Sequence, residues 1–340
     1  MRVAIFNGPQ TPITIEQVAD PRPGADELLI RVRRCGVCGS DLSMTSGSAF
    51  DYPIGCRLGH EYAGEVIETG KAVTGFRIGD RVTCFPQAGC GTCDQCRRGR
   101  PIFCTQCRFL AGGFADYIAI PYQSAVLLPP DLSFADAALA EPMACGLRAL
   151  RLAGMRGGER VMVLGAGSMA IALVYWARVL GAASVLALAR SSHRRDTLMA
   201  LGADAVCDFD TEDPGALTRA LGGPPDIVAE CIGKPGMLGK AIGHVAPGGA
   251  VICMGMCMQP EALTPAVCAF KEIRLYFPVA YSSGEFLETV KAFNEGSMNP
   301  ELMISDVIAL DDLPAMLGKM RAGLKTLKVH VDPTLEPAHD

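Results

Sequence analysis

The run VMVLGAGSMA, residues 161 to 170, limits the fold of this chain more than any other stretch. An apolar, strand-like segment enters Gly165-Ala-Gly167-Ser168-Met169-Ala170, and SMAIALVYWARVLG continues at helical spacing. Strand, glycine turn and helix in that order form the G-x-G-x-x-G/A cradle for a dinucleotide pyrophosphate. Gly165 permits the tight turn, Gly167 lets backbone N–H groups approach a phosphate at the helix N-terminus, and Ala170 is small enough for close helix–strand packing. A ligand-free glycine turn is the plainer alternative, but the pattern goes on: SVLALA, HRRDTLMALG, AVCD, DIVAECIG and GAVICMG alternate strand and helix signals. An α/β region with a doubly wound parallel sheet is therefore expected from about residue 155 to 275.

In such a unit an acid about 20 residues beyond the turn holds the ribose 2′-hydroxyl. Here the next strand ends in LALARSSHRR, with Ala189-Arg190-Ser191 where the acid would stand. Arg190 can pair a 2′-phosphate through its planar guanidinium, Ser191 can add a hydrogen bond, and Arg194 can assist from the following turn. The reading is NADP(H) over NAD(H), against an alternative in which the arginines merely solvate a loop.

Before residue 140 the texture differs. Short alternating runs, VAIF, ELLIRVRRC, YAGEVIETG, DRVTC, FADYIAI and SAVLLP, are split by Gly and Pro, as in an all-β domain with irregular loops. Within it GCGTCDQCRRGRPIFC sets Cys90, Cys93, Cys96 and Cys104 in C-x2-C-x2-C-x7-C spacing. Four thiolates so close can complete a tetrahedron round Zn²⁺ and leave no open position, so such a site is structural. Ferredoxin-type clusters use other spacings, and Cys107 is a weaker substitute for Cys104. The chain carries 15 cysteines, and its N-terminal run, broken by Asn7, Gly8 and Pro9, does not read as an export signal, so reduced thiols and metal sites are expected rather than disulfides.

Lysine and arginine number 31 against 36 acids, and the net charge of -5 with no long like-charge run argues against nucleic acid as a partner. The apolar stretches are broken by glycines, which suits buried elements better than membrane spans. A cytoplasmic protein is expected. From Glu141 the segment EPMACGLRALRLAGM has helical spacing. After KEIRLYFPV come the helix-like SGEFLETVKAFNEG and DDLPAMLGKMRAG and a last strand, LKVHVDP, which periodicity alone assigns to neither domain.

CGVCGSD, residues 35 to 41, is followed by LGHEYAGEV with His60 and Glu61 and, far downstream, by AEPMACG with Glu141. A lone histidine such as His60 is more often structural than metal-binding. Taken together, the order Cys38-Gly-Ser40-Asp41, Gly59-His60-Glu61, the four-cysteine lobe, Glu141-Pro142 and the glycine fingerprint resembles the zinc-dependent medium-chain dehydrogenases over nearly the whole chain. The Glu-Pro form resembles their polyol and sorbitol dehydrogenase branch. The resemblance implies a GroES-like β-rich catalytic domain at 1–142, with a structural zinc lobe at 88–106. It further implies a Rossmann NADP-binding domain at 143–277, a C-terminal return to the catalytic domain at 278–340, and an active site in the cleft between domains.

The same resemblance implies two zinc ions per subunit. Cys38, His60 and Glu141 would be the catalytic ligands, with Glu61 next to the metal as a neighbour or exchangeable ligand and Cys145 a rival ranked behind Glu141. The implied reaction is hydride transfer between NADP(H) and a secondary alcohol or polyol, or the matching ketone or aldehyde, in a homodimer or homotetramer that IRLYFPV could help to pair. Zinc with an open position is a Lewis acid that eases proton loss from an alcohol.

Ser40 is the expected first member of a proton relay. Several relatives follow this step with a histidine, but the chain reads Leu42-Ser43-Met44, which leaves the outer relay to Ser43, ribose hydroxyls or water. Phe50, Tyr52, Phe85, Phe109 and Leu110 are candidate pocket residues that could equally be core, and Cys35 is expected to be a small buried neighbour without a catalytic role. A non-catalytic NADP(H)-binding redox sensor, or a structural member of the same fold, is the alternative. Retention of Cys38, His60 and Glu141 argues against it.

Overall fold

The computed structural model of the chain describes residues 1–47, 52–190, 194–210, 213–296 and 299–338. Two units emerge from it: Met1–Glu141 joined by Ser282–Gly296 and the stretch from Ile304, and a second unit built on Pro142–Tyr281.

In the first unit the alternating apolar residues of ELLIRVRRCG make the long strand Glu27–Gly36, which buries Leu28, Ile30, Val32 and Cys35. Among the described residues it sits within a seven-stranded sheet, ordered Ile304–Ala309, Lys328–Asp332, Glu27–Gly36, Glu61–Thr69, Arg81–Cys84 and Ala125–Leu127, with Tyr117–Pro121 also paired to Glu27–Gly36. At the C-terminal end of Glu27–Gly36 the register puts Gly36 opposite Glu61 on one side and opposite His330 on the other. Three strands distant in sequence therefore meet at one point. The C-terminal strand LKVHVDP, unassigned by periodicity, packs with the first unit through this antiparallel pairing.

Two helices depart from the sequence expectation. Gly39–Ser46 lies inside the region read as all-β. It forms without an apolar stripe because Asp41 reaches back to accept the Cys38 N–H at 2.9 Å, and Gly47, at φ 72°, ends it in the left-handed region. Phe134–Leu152 starts well before Glu141, where helical spacing first shows. Ser133 accepts the Asp136 N–H at 2.9 Å and donates to its carboxylate at 2.8 Å, a cap that fixes the earlier start. Pro142 lies inside this helix and removes one backbone donor. Side chains bind carbonyls on either side of it: Thr83 donates to Ala137 at 2.8 Å, and the Trp176 indole donates to Met143 at 2.7 Å.

In the second unit the described strands form a parallel six-stranded sheet ordered Ala205–Asp208, Ser184–Ala189, Arg160–Leu164, Ile227–Glu230, Ala250–Cys253 and Arg274–Tyr276. Chain order reverses between Arg160–Leu164 and Ile227–Glu230, the switch point at which doubly wound sheets bind ligands. Val161 through Leu164 and Val185 through Leu188 are all buried, as strands covered on both faces must be. The α/β expectation with a doubly wound parallel sheet holds. No described helix is long and apolar enough to cross a membrane.

Candidate functional site

Cys38 caps the helix Gly39–Ser46, while His60 and Glu61 lead into the strand Glu61–Thr69. One ligand atom from each of the three lies within 4.8 Å of the others. The turn before His60 requires glycine, because Gly59 has φ +87° and a Cβ there would meet the Phe114 nitrogen at 2.7 Å and the Cys35 sulfur at 2.9 Å. Its carbonyl accepts N–H bonds from Gly112 and Gly113, both at 2.9 Å, which fixes the approach to His60. Gly36 leaves the space that the Glu61 carboxylate occupies. Cys35 is fully buried, and burial pushes its thiol well above the ordinary range, so it fills space as a neutral thiol.

Behind this cluster stands a residue that the sequence reading passed over. Lys328 is 1% exposed, and its Nζ donates to both oxygens of the fully buried Glu61, at 2.8 and 2.7 Å, and to the Val37 carbonyl at 3.1 Å. Burial works against the Lys328 charge, but Glu61, Cys38 and Glu141 outweigh it and raise its pKa. Asp41 is also fully buried, with Oδ1 3.7 Å from His60 Nδ1. Burial raises the Asp41 pKa, while His60 and the Cys38 N–H pull the other way.

Burial opposes a proton on His60 as well. The hydrogen bond with Cys38 and the charges of Asp41, Cys38 and Glu141 overcome that and carry its pKa well above the usual imidazole value. Charges that draw a proton onto a buried histidine equally draw a divalent cation, so a cysteine, an imidazole and nearby carboxylates fit a zinc site. Glu141 belongs to this field although it lies outside the tight group of three. Thr83 explains its approach. The hydroxyl that donates to Ala137, one helical turn before Glu141, also lies 3.1 Å from the carbonyl of Tyr62, the neighbour of Glu61. Cys145 lies in neither of the metal-sized groups found among the described residues.

Cys90, Cys93, Cys96 and Cys104 place their sulfurs within 4.8 Å of one another. Backbone N–H groups point at these sulfurs, from Cys93 to Cys90 at 3.3 Å and from Gln106 to Cys104 at 3.3 Å. The hydroxyl and N–H of Thr92 and the N–H of Cys93 draw the Cys90 thiol down to about 5, whereas burial and the neighbouring sulfurs push Cys96 up to about 12. Thiolates this close repel unless a cation sits among them, so the lobe fits a closed zinc shell. Cys107 lies outside the four.

In the second unit Gly165 has φ +120°, a conformation that demands glycine, and Gly167 caps the helix Ser168–Val179. A Cβ at Gly167 would meet nothing within 4 Å, so the space above the turn is open to a phosphate. Ala170 is fully buried against the sheet; Ser168 and Met169 lie partly exposed on the first turn. Arg194 donates to the Ala166 carbonyl at 2.8 Å, which ties it to the glycine turn. Arg190 is 67% exposed, 3.7 Å from Asp210, with its guanidinium 5.2 Å from the centre of the Phe209 ring. Lys240 lies over the same ring at 3.9 Å, a third cation that the strand-end motif did not signal. Ser191 lies outside the described residues.

Ser40 is half-buried on the first turn after Cys38, and Ser43 donates to the Gly39 carbonyl at 3.1 Å. Of the candidate pocket residues, Phe109 is 41% exposed with its ring centre 5.1 Å from that of His60. Phe85 is core, packed edge-on against Phe286 at 5.8 Å. Tyr52 and Leu110 pack against the apolar core, and Phe50 lies outside the described residues.

Comparison with known proteins finds likeness over nearly the whole chain. The family model for the alcohol dehydrogenase GroES-like domain matches residues 24–130, and that for zinc-binding dehydrogenase matches residues 165–295. Sorbitol dehydrogenase of Bacillus subtilis is 29% identical over 347 residues, covering 98% of this chain and 97% of its own. D-xylulose reductase A of Aspergillus niger is 28% identical over 325 residues, 90% of each. A Sinorhizobium meliloti 1021 protein described as a zinc-binding dehydrogenase, with a crystal structure bound to NADP, superposes with a TM-score of 0.91 at 30% identity. That likeness covers 98% of this chain and 99% of the other.

Proposed function

We propose that this chain, which belongs to the zinc-containing medium-chain dehydrogenases on their polyol dehydrogenase branch, transfers hydride between NADP(H) and a secondary alcohol or polyol, or the matching ketone or aldehyde. It joins a GroES-like domain to a Rossmann-like one and is an oxidoreductase acting on CH–OH groups. The observation that carries the finer reading is the charged group of Cys38, His60 and Glu61, backed by Lys328 and standing apart from the closed four-cysteine lobe.

Cys38, His60 and Glu141 are the side chains that would hold a catalytic zinc. Both oxygens of Glu61 are taken by Lys328, which supports Glu61 as a neighbour of the metal rather than its third ligand. Asp41 sets its Oδ1 3.7 Å from Nδ1 of His60, beyond hydrogen-bond length, and supplies negative charge behind the ring. When bound, zinc supplies Lewis-acid polarisation of a substrate oxygen, and NADP supplies the hydride carrier. Ser40, close to Cys38 in the chain, takes the first place in the proton relay.

Gly165, Gly167, Ser168, Met169 and Ala170 would cradle the pyrophosphate, and Arg190, Ser191 and Arg194 would receive the 2′-phosphate. Cys90, Cys93, Cys96 and Cys104 would hold a structural zinc. The domain plan of 1–142, 143–277 and 278–340 goes with this reading. So does a homodimer or homotetramer, supported by the edge strand Arg274–Tyr276 and the 67% exposure of Phe277 beside it. A cytoplasmic location goes with this reading, since 15 cysteines with a C-x2-C-x2-C metal-type spacing suit a reducing compartment.

The test is a spectrophotometric screen of zinc-loaded protein against alcohols and polyols with NADP⁺ and NAD⁺. Turnover of polyols with NADP⁺ favoured is expected. Inactivity with every substrate would reject the reaction, and preference for NAD⁺ would reject the roles of Arg190 and Arg194.

A further inference from the structure

We infer that Gln87 is a specificity residue of the reactive site, and that its side-chain amide binds a second hydroxyl of the substrate, on the carbon next to the one oxidised. The inference rests on the dehydrogenase reading above and deepens it, naming vicinal diols and polyols as the preferred substrates.

Gln87 is 4% exposed, and its Oε1 is buried without a hydrogen-bond partner among the described residues. A buried amide oxygen left unpaired is costly, and folded proteins retain few of them. The short strand Gln87–Ala88 pairs antiparallel with Arg108–Phe109, and Gln87 stands directly opposite Phe109. Opposed residues of an antiparallel pair project to the same face, with Cβ atoms about 4.5–5.5 Å apart. On that face the Phe109 ring lies 5.1 Å from the His60 imidazole, centre to centre. Gln87 is thereby carried to the side of this ribbon that turns toward His60.

Two protein hydroxyls of this region bond carbonyls instead. Tyr62 donates to the Leu110 carbonyl at 3.1 Å, and Thr83 donates to Ala137 at 2.8 Å. What Oε1 lacks is a donor, and a diol oxidised at one carbon presents an O–H on the next. A monohydric alcohol with the same carbon skeleton would leave the buried oxygen unpaired. Sites that hydrogen-bond a substrate hydroxyl discriminate against the analogue lacking it for this reason.

The experiment compares zinc-loaded wild type with Gln87→Met, which keeps the length of the side chain and removes its polar end. With NADP⁺, kcat/KM is measured for butane-2,3-diol and butan-2-ol. Gln87→Met should lose about tenfold or more on the diol, the scale of one hydrogen bond, and stay within about twofold on the monohydric alcohol. A parallel fall on both substrates, or no change on either, would overturn the inference.

A second measurement needs no turnover. Xylitol binding to the NADPH complex, followed by calorimetry, should weaken about tenfold in Gln87→Met with zinc content and NADPH affinity unchanged. Equal binding by the two proteins, or binding by neither, would overturn the inference. Gln87-dependent binding by a protein that oxidises no alcohol would instead contradict the dehydrogenase reading. Gln87→Asn, which draws the amide back, is measured in the same way should the methionine variant fail to fold.

Discussion

The four-cysteine lobe takes its sulfurs from residues 90 to 104, whereas the charged group around His60 assembles Cys38, Glu61 and Lys328 from opposite ends of the chain. The lobe is nearly a local object: backbone N–H groups within its own loop tune the sulfurs, and four like ligands fill a tetrahedron. The other site depends on strand register. Gly36 opposite Glu61 and His330 opposite Gly36 bring three strands together, and the buried Lys328–Glu61 pair forms where they meet. A closed set of identical ligands suits structure. A mixed set with charges held behind it suits chemistry.

The largest effect expected from this contrast comes from Cys38→Ala, which should abolish turnover and remove one zinc per subunit while leaving the fold intact. Cys93→Ala should remove the other zinc and lower thermal stability even where residual activity survives. Metal analysis with circular dichroism separates the two, and loss of the lobe's zinc in Cys38→Ala would break the contrast.

Next in size is Lys328→Met. It leaves the Glu61 carboxylate buried without its counter-charge, at a cost of about 3–5 kcal/mol in chemical denaturation. Adding Glu61→Gln should recover a large part of that loss; additive losses would mean that the pair is not coupled.

A smaller effect follows from His330, two residues along the same strand. It is fully buried, and burial, Lys328 and Arg34 bring its pKa down to about 3. The unfolded chain binds this proton near its ordinary value of about 6.5, so the folded form holds fewer protons between the two values. The stabilisation is present above about 6.5 and is lost as pH falls toward 3. From pH 7 to pH 5 the share due to His330 is about 2 kcal/mol. Denaturation of His330→Leu should show a pH dependence flatter by that amount, and an unchanged slope would contradict a neutral buried imidazole.

The smallest effect belongs to Cys35→Ala. Turnover and zinc content should stay within about twofold, with about 1 kcal/mol of stability lost to the smaller side chain. A large loss of zinc would put Cys35 back among the ligands.

The same contrast governs what could be read from the sequence. Cys90 to Cys104 and Gly165 to Ala170 are legible because their chemistry is contiguous and their spacing is itself the geometry. His60 and Cys38 needed the family resemblance, since nothing local joins them. Lys328 escaped notice because the alternation Lys328, His330, Asp332 in LKVHVDP reads as the solvent face of an edge strand. Instead Ile304–Ala309 covers the outer edge and all three side chains are buried. Asp41 has no role legible in its motif, because a backward cap onto Cys38 becomes visible only once the short helix exists. Lys240 reaches Phe209 from a helix remote in sequence, beyond any strand-end motif.

The most direct measurement of this division of labour is timed chelation of the zinc-loaded enzyme, with zinc content, turnover and circular dichroism followed on the same sample. Turnover should fall in step with loss of the first zinc equivalent while the spectrum holds, and added zinc should restore it. Turnover that outlasts removal of that zinc, or that disappears only as the fold is lost, would contradict a chemical role for the Cys38 and His60 centre.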